Sequence, residues 1–287
     1  MRKIIILLLV SLVMGCGTSS KSNDPRPSVS VSIAPLGYLV EQLADSLLRV
    51  EVLVPLTTSP ESYDPSARQI RDLANSDLYF SVGLIDFEKS LASRIESVAP
   101  NTKYINLSDG IEIMEGECSH DHLYGQHSHG IDPHIWLSPL NMIRMAESVC
   151  KGLSQQYPQM SEQLYKNLSM LRGRIIEFDM LMRKAVTQSN THAFAIVHPS
   201  LSYFARDYRL TQLPVEIEGK EPSAKQIAQL IDQMRSLEIK KIFYARQDSD
   251  AAARTLAQEL NIELVEYDPL NPQWLENLYH IKSLICN

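Results

Sequence analysis

The sequence lacks the features that mark several large classes of protein. Its 27 Lys and Arg residues are outnumbered by 34 Asp and Glu residues, and the formal net charge is −7 at pH 7. This balance argues against nucleic-acid binding by bulk electrostatics. The motifs HExxH and GxSxG are absent, which argues against two common types of hydrolase. No second long apolar run follows the N-terminus, and 44% of the residues are hydrophobic, so the remainder is expected to form a soluble globular body.

One apolar run is present, at residues 4–14, after a basic start. It is shorter than the roughly 20 residues that a membrane span needs, so residues 1–15 are predicted to be a cleaved export signal. The ending VMGC resembles the lipobox of bacterial lipoproteins, in which the cysteine, here Cys16, carries a lipid. An ordinary signal peptide with an incidental cysteine is the alternative. Residues 16–28 are rich in Ser, Asn, Asp and Pro and are predicted to be a flexible, lipid-anchored tether.

Three further cysteines, Cys118, Cys150 and Cys286, follow without any CxxC spacing. In an exported protein, one pair of them would be able to oxidise. The sequence does not select the pair.

Two stretches of the chain alternate strands with helices. The first, residues 29–157, begins with a strand, a helix and a second strand, an order that predicts a parallel sheet. The second, residues 191–287, repeats the alternation. We therefore predict an α/β protein with two Rossmann-like lobes on parallel sheets. The predicted strands begin at Val29 and then cover residues 50–54, 78–82, 103–106, 192–197, 213–217, 241–245 and 263–267.

Residues 158–190, between the two stretches, show a helical pattern instead. A helix over residues 160–188 would be about 43 Å long at about 1.5 Å per residue, longer than one small lobe needs. It is predicted to be a rigid linking helix, and the alternative is a helical hairpin broken near Arg172 and Gly173. Its apolar stripe consists of Leu164, Leu168, Leu171, Ile175, Phe178, Met182 and Val186.

Four acidic or histidine side chains occupy positions at which a parallel sheet places ligands. In open α/β sheets, ligands bind beyond the carboxyl ends of the strands. His198 and Asp268 directly follow predicted strands, and Glu61 lies in the loop after another. His134 lies in DPHIWLSP, where two prolines predict a rigid turn before a helix.

These four residues combine imidazole with carboxylate, the side chains that bind zinc, manganese and similar divalent ions. They are far apart in the sequence, so only the tertiary structure can bring them together. Each lobe supplies two, which places a common metal site in the cleft between the lobes. Taken singly, each residue is more often a turn or capping residue than a ligand.

Five blocks of sequence support the metal site because they occur in a known order. They are SIAPLGYLVEQLADS, SPESYDPSARQIRDLANSDLYFSVGL, DPHIWLSP, HPSLSYFARDYRL with IEGKEPSAKQI, and YDPL. Together they resemble the zinc- and manganese-binding solute-binding proteins of bacterial ABC importers. The resemblance implies two α/β lobes joined by one long helix, a metal between them, and a membrane permease and an ATPase as partners.

By this resemblance the metal ligands are Glu61, His134, His198 and Asp268. The first position departs from the family pattern, which commonly has SPHxY where this chain has SPESY. We expect Glu61 to fill the ligand position with a carboxylate. In the alternative, the other three residues bind the metal together with a water molecule.

Half of the eight histidines lie in one loop, GECSHDHLYGQHSHG, at residues 116–130. They are His120, His122, His127 and His129. Zinc-binding members of the family resemble this chain in carrying a His-rich insertion. The loop is expected to capture zinc weakly and pass it inward, or else to be a solvated segment with accidental metal affinity. It favours zinc, because imidazole suits zinc better than it suits harder ions.

The expected function is the capture of a divalent cation, Zn²⁺, by a monomeric lipid-anchored receptor at the outer face of the cytoplasmic membrane or in the periplasm. Neither catalysis nor nucleic acid is implied. Mn²⁺ or iron is the alternative cargo, since two histidines with two carboxylates resemble the manganese branch. An alternative of another class is an exported zinc hydrolase with Glu61 as general base. A surface adhesin or metal buffer on the same fold is a third.

Overall fold

The computed structural model describes residues 24–115, 130–217 and 220–286. The predicted export signal, Cys16, Cys118 and the four histidines of the His-rich loop therefore lie outside the described residues. Within the described ranges, no helix combines the length and the apolar character that a membrane crossing requires.

The first sheet has four short parallel strands in the order β2-β1-β3-β4. The central strands β1 and β3 are buried along their whole length, whereas the edge strands β2 and β4 are partly exposed. Burial on both faces is typical of parallel sheets covered by helices. The strands are β1 Ser28–Val31, β2 Arg49–Val52, β3 Leu78–Ser81 and β4 Lys103–Asn106.

The second sheet repeats this winding, with four parallel strands in the order β6-β5-β7-β8. The predicted strand at residues 213–217 lies two residues earlier, because pairing with β5 begins at Ala193 and Thr211. Glu216 consequently lies beyond the end of β6. The strands are β5 Ala193–Ile196, β6 Thr211–Pro214, β7 Lys241–Tyr244 and β8 Glu263–Glu266.

Helices cover both sheets. They are α1 Ala34–Ala44, α2 Ala67–Leu73, α3 Asp86–Ala92, α4 Ile95–Val98, α5 Pro139–Gln156, α6 Ser161–Ser189, α7 Ser202–Tyr208, α8 Ala224–Ser236, α9 Ala251–Leu260 and α10 Trp274–Cys286.

The longest of these helices, α6, runs between the two sheets in the sequence and continues through Gly173 without a break. The predicted single helix is confirmed, and the alternative of a broken hairpin is wrong. Five residues of the predicted stripe are fully buried, namely Leu164, Leu171, Ile175, Phe178 and Met182. The helix α6 packs against α1 and α5 of the first lobe and α10 of the second. One helix thus supports both lobes.

Two buried tryptophans tie the lobes together on the side of the predicted site. The Trp136 indole Nε1 donates to the Pro269 carbonyl at 2.8 Å, and the Trp274 Nε1 donates to the Trp136 carbonyl at 2.8 Å. Both indoles are at most 1% exposed. Because buried hydrogen bonds are costly to break without replacement, they fix the segment after His134 against the segment after Asp268.

Two of the three later cysteines are described. Cys150 is buried, Cys286 is partly buried, and both are free thiols. The pair Cys150 and Cys286 is therefore not joined, while any pairing of Cys118 lies outside the described residues.

Candidate metal centre

Glu61 lies in the loop between β2 and α2, inside a short 3₁₀ turn at Pro60–Ser62. Gln69 of α2 holds this loop in place. Its Nε2 donates to the Leu53 carbonyl at 2.7 Å, and its Oε1 accepts from the Tyr63 hydroxyl at 2.7 Å. The Glu61 side chain is 38% exposed, so its carboxylate is anchored by the loop but open to solvent.

His134 lies in the turn that leads through a 3₁₀ segment, Ile135–Leu137, into α5. One carboxylate oxygen of Asp132, Oδ1, accepts from the His134 backbone N–H at 2.8 Å and lies 2.9 Å from ring Nδ1. Both side chains are buried. Because an ionised carboxylate only accepts, we assign the ring proton to Nδ1. Nε2 is then free to bind a cation.

His198 follows β5 at the carboxyl edge of the second sheet. Its Nδ1 lies 3.2 Å from Glu216 Oε2, and its Nε2 lies 3.3 Å from Glu61 Oε2. The His198 side chain is 27% exposed. As at His134, one ring nitrogen is held by a carboxylate of its own lobe, and the other faces Glu61.

The three side chains meet between the lobes. His134 Nε2 lies 3.7 Å from Glu61 Oε1, and the two imidazole rings are 5.2 Å apart between centroids. One possible ligand atom from each residue lies within 4.8 Å of the other two. His134 and His198 also line a cavity of about 140 Å³, together with Glu216 and Asp248. Two imidazole nitrogens and a carboxylate are donors that suit a divalent cation, zinc in particular.

Charges are coupled in this cluster. Burial opposes ionisation of Glu61, but the hydrogen bond from His198 and the charges of His134 and His198 lower its pKa to about 2. Burial likewise opposes protonation of His198, but Glu216 and Glu61 raise its pKa to about 10. In the metal-free protein, a proton on His198 therefore stands where a cation would bind.

Asp268 is not part of this group. Among the described residues, the ligand atoms that lie within 4.8 Å of one another belong to Glu61, His134 and His198. The Asp268 Oδ1 accepts from the Leu270 backbone N–H at 2.9 Å, and the Asp268 carbonyl accepts from Asn277 Nδ2 at 2.7 Å. Its role as the fourth ligand stays a prediction.

Three acidic side chains near the cluster were missed from the sequence. Asp132 stands two residues before His134, a spacing that permits its contact with the His134 backbone. Glu216 was assigned to the interior of a predicted strand, whereas it lies just beyond β6. Asp248 follows β7 and accepts from the Ala245 backbone N–H at 2.8 Å. The strand-end rule that selected His198 also points to Asp248, which follows the predicted strand at residues 241–245, but it points to Glu216 only once the observed end of β6 is known.

Comparisons with known proteins assign the chain to a family. The model of the ZnuA family, described as zinc-uptake complex component A, periplasmic, matches residues 29–280. The chain belongs to this family. The resemblance found in the sequence is thereby confirmed at the level of the family.

Among curated ZnuA-family relatives, the zinc-binding lipoprotein AdcA of Streptococcus pneumoniae R6 is 28% identical over 288 aligned positions. The alignment covers 97% of this chain but 56% of AdcA, so the chain spans about half the length of that relative. The high-affinity zinc uptake system protein ZnuA of Bacillus subtilis 168 is 27% identical over 266 positions, which cover 87% of this chain and 82% of ZnuA.

Solved structures of ZnuA share the fold. A crystal structure of ZnuA is 31% identical to this chain, with a TM-score of 0.83 over 91% of this chain and 98% of that one. A zinc-bound deletion mutant of ZnuA gives a TM-score of 0.82 at 31% identity, over 91% and 97% of the two chains. The predicted α/β architecture of two lobes joined by a long helix is confirmed.

Proposed function

We propose that this ZnuA-family chain is a receptor that binds Zn²⁺ outside the cytoplasmic membrane and delivers it to the permease and ATPase of an ABC importer. The relatives named as zinc-binding and zinc-uptake proteins support this proposal. The matching family model is itself described as part of a zinc-uptake complex.

The observation that carries the proposal is the convergence of three ligand atoms between the lobes. His134 comes from the first lobe and His198 from the second, and the Nε2 atoms of both face the carboxylate of Glu61. A cation bound there would touch both lobes. This geometry suits a receptor whose two lobes enclose its cargo.

Zinc fits the donors better than manganese does. Imidazole nitrogen is a favoured zinc ligand, while manganese prefers carboxylate, carbonyl and water oxygens. The described cluster has two imidazoles and one carboxylate. The His-rich loop at residues 116–130 would add further imidazoles as an accessory capture segment. We propose Asp268 as a fourth ligand. It would bind the zinc ion once the ion has replaced the contacts that the three clustered side chains make with one another.

Binding without catalysis accounts for the role of Glu61. A general base in a zinc hydrolase acts on a metal-bound water and is separate from the ligands. Here the Glu61 carboxylate lies 3.3 Å and 3.7 Å from the two imidazoles, and this closeness supports a role for Glu61 as a ligand. We further propose that the receptor is monomeric and is held at the membrane by a lipid on Cys16, with residues 16–28 as the tether.

The first test is the zinc and manganese affinity of the chain without its first 16 residues, after treatment with a chelator. We expect one zinc ion per chain to bind tightly and manganese to bind more weakly. Deletion of residues 116–130 should leave the equilibrium affinity unchanged, because that loop is an accessory segment. Zinc uptake by cells that lack the protein, with and without the intact gene restored, tests delivery.

Three results would contradict the proposal. Absence of tight zinc binding would remove the receptor function. A higher affinity for manganese than for zinc would mean that the receptor carries manganese, the alternative cargo. Metal-dependent hydrolysis of ester or peptide substrates by the purified chain would favour the hydrolase.

A further inference from the structure

Glu216 contacts His198 on the side of the ring that points away from Glu61. Its Oε2 lies 3.2 Å from His198 Nδ1, the ring nitrogen that points away from Glu61. Glu216 lines the same cavity as His198, and its side chain is 17% exposed. This acidic side chain is thus part of the cavity wall without belonging to the group of ligand atoms that meet within 4.8 Å.

The backbone of Glu216 is fixed relative to His198. The Glu216 N–H donates to the Val197 carbonyl at 3.1 Å, and Val215 N–H donates to the Ile196 carbonyl at 2.8 Å. The sheet edge therefore holds the two residues side by side. The remaining freedom lies in the Glu216 side chain, whose carboxylate spans the gap to the ring.

A neutral imidazole has one protonated and one unprotonated nitrogen, and the hydrogen bond at one nitrogen decides which of them can bind a metal. A carboxylate on Nδ1 keeps the proton there and leaves the lone pair of Nε2 directed at the cation. The same contact fixes the ring against rotation. Asp132 makes this contact on His134, with Oδ1 at 2.9 Å from Nδ1.

We propose that Glu216 is a positioning residue that holds His198 with its proton on Nδ1 and its Nε2 toward the metal. The inference rests on the proposed function, because it assigns Glu216 a role in the same zinc site. Each histidine then has its own acidic partner, Asp132 in the first lobe and Glu216 in the second. His198 depends on Glu216, since this is the carboxylate that the structure places on its Nδ1.

The test compares Glu216→Gln with Glu216→Ala. The glutamine keeps an oxygen that accepts from Nδ1–H but removes the charge, whereas the alanine removes both. Loss of such an outer partner lowers metal affinity about 10–100-fold, and we expect this loss for Glu216→Ala. We expect Glu216→Gln to keep most of the affinity. Zinc affinity is measured by competition with a chelator, and Glu259→Ala, an exposed glutamate of the same lobe, controls for the change in charge.

A second measurement uses the wild-type protein alone. In the zinc-loaded chain, ¹⁵N NMR of the histidine rings should show His198 with a slowly exchanging proton on Nδ1 and zinc on Nε2. Zinc on Nδ1, or a rapidly exchanging Nδ1 proton, overturns the inference even if a variant fails to fold.

The remaining outcomes separate this inference from the function on which it rests. If Glu216→Gln loses as much affinity as Glu216→Ala, the charge matters and positioning is wrong. If Glu216→Ala binds zinc normally while His198→Ala does not, Glu216 has no role but the receptor stands. If His198→Ala also binds zinc normally, the proposed site itself fails.

Discussion

The two histidines of the proposed zinc site are held in different ways. The His134 side chain is 6% exposed, and Asp132 binds both its ring and its backbone. The His198 side chain is 27% exposed, and Glu216 binds its ring through a longer side chain at 3.2 Å. We infer a rigid ligand in the first lobe, held at two atoms, whereas the ligand of the second lobe is more exposed and is held by its own lobe at one ring nitrogen. We infer that His134 organises the site and His198 completes it.

The largest expected effect is the loss of either ligand. His134→Ala and His198→Ala should each weaken zinc binding by more than about 100-fold, because a lost ligand costs more than the 10–100-fold of an outer partner. At a pH above about 10, where His198 has lost its stabilising proton, only His134→Ala should also lower the melting temperature clearly, since it empties a buried position. Chelator competition and thermal unfolding measure the two effects. Equal melting temperatures for the two variants would contradict the difference between the histidines.

Removal of Asp132 should come next. Asp132→Ala takes away the acceptor for the His134 ring and lowers zinc affinity about 10–100-fold. It also leaves the buried His134 backbone N–H without its acceptor, which costs about 1–3 kcal/mol of unfolding free energy. Denaturant unfolding and zinc titration test both. Asp132→Asn, which keeps an oxygen in place, is the matched control, and an alanine variant as stable as the wild type would refute the rigid-ligand interpretation.

The pH dependence probes the second histidine. Glu216 and Glu61 raise the pKa of His198 to about 10 in the metal-free protein, so zinc displaces one proton at neutral pH. Affinity should therefore rise roughly tenfold per pH unit between about pH 6 and 9. The stability of the metal-free fold depends on pH in the opposite direction, because it is the protonated form of His198 that stabilises this fold. This stabilisation is fully present below the ordinary histidine pKa of about 6.5 and is lost as the pH rises through about 10.

Zinc affinity at several pH values, and heats of binding in buffers of different ionisation enthalpy, report the number of protons released. Release of no proton at pH 7 would show that His198 is neutral before zinc arrives. In His198→Ala, the residual zinc affinity should depend less on pH.

The smallest effect on zinc affinity is expected from substitutions in the hydrogen bonds that join the two lobes. Trp136→Phe removes the indole donor to the Pro269 carbonyl, leaves a buried acceptor unpaired, and should cost about 1–3 kcal/mol of stability. Zinc affinity should change little, because Asp132 still fixes His134. Trp274→Phe removes the reciprocal bond and serves as the comparison. A loss of affinity as large as that of Asp132→Ala would show that lobe contact, rather than Asp132, positions His134.

Local pattern predicted much of the fold. The apolar stripe from Leu164 to Val186 predicted α6 and its buried face, because helical periodicity is a property of neighbouring residues. Strand boundaries were less accurate. The strand β6 begins two residues earlier than predicted, which leaves Glu216 beyond its end. Pairing with β5 sets where β6 begins, and the sequence of β6 alone carries no information about that pairing.

The sequence by itself determined the family, the parallel α/β character, the long helix and the residue types for metal binding, since each depends on short patterns or their order. Only the tertiary structure decided which side chains meet. It brought Glu61, His134 and His198 within 4.8 Å, left Asp268 outside that group, and placed Asp132 and Glu216 on the two rings. The physical reason is that the packing of the two sheets against α6 sets these distances. Local sequence patterns do not encode the distance between residues that lie far apart in the chain.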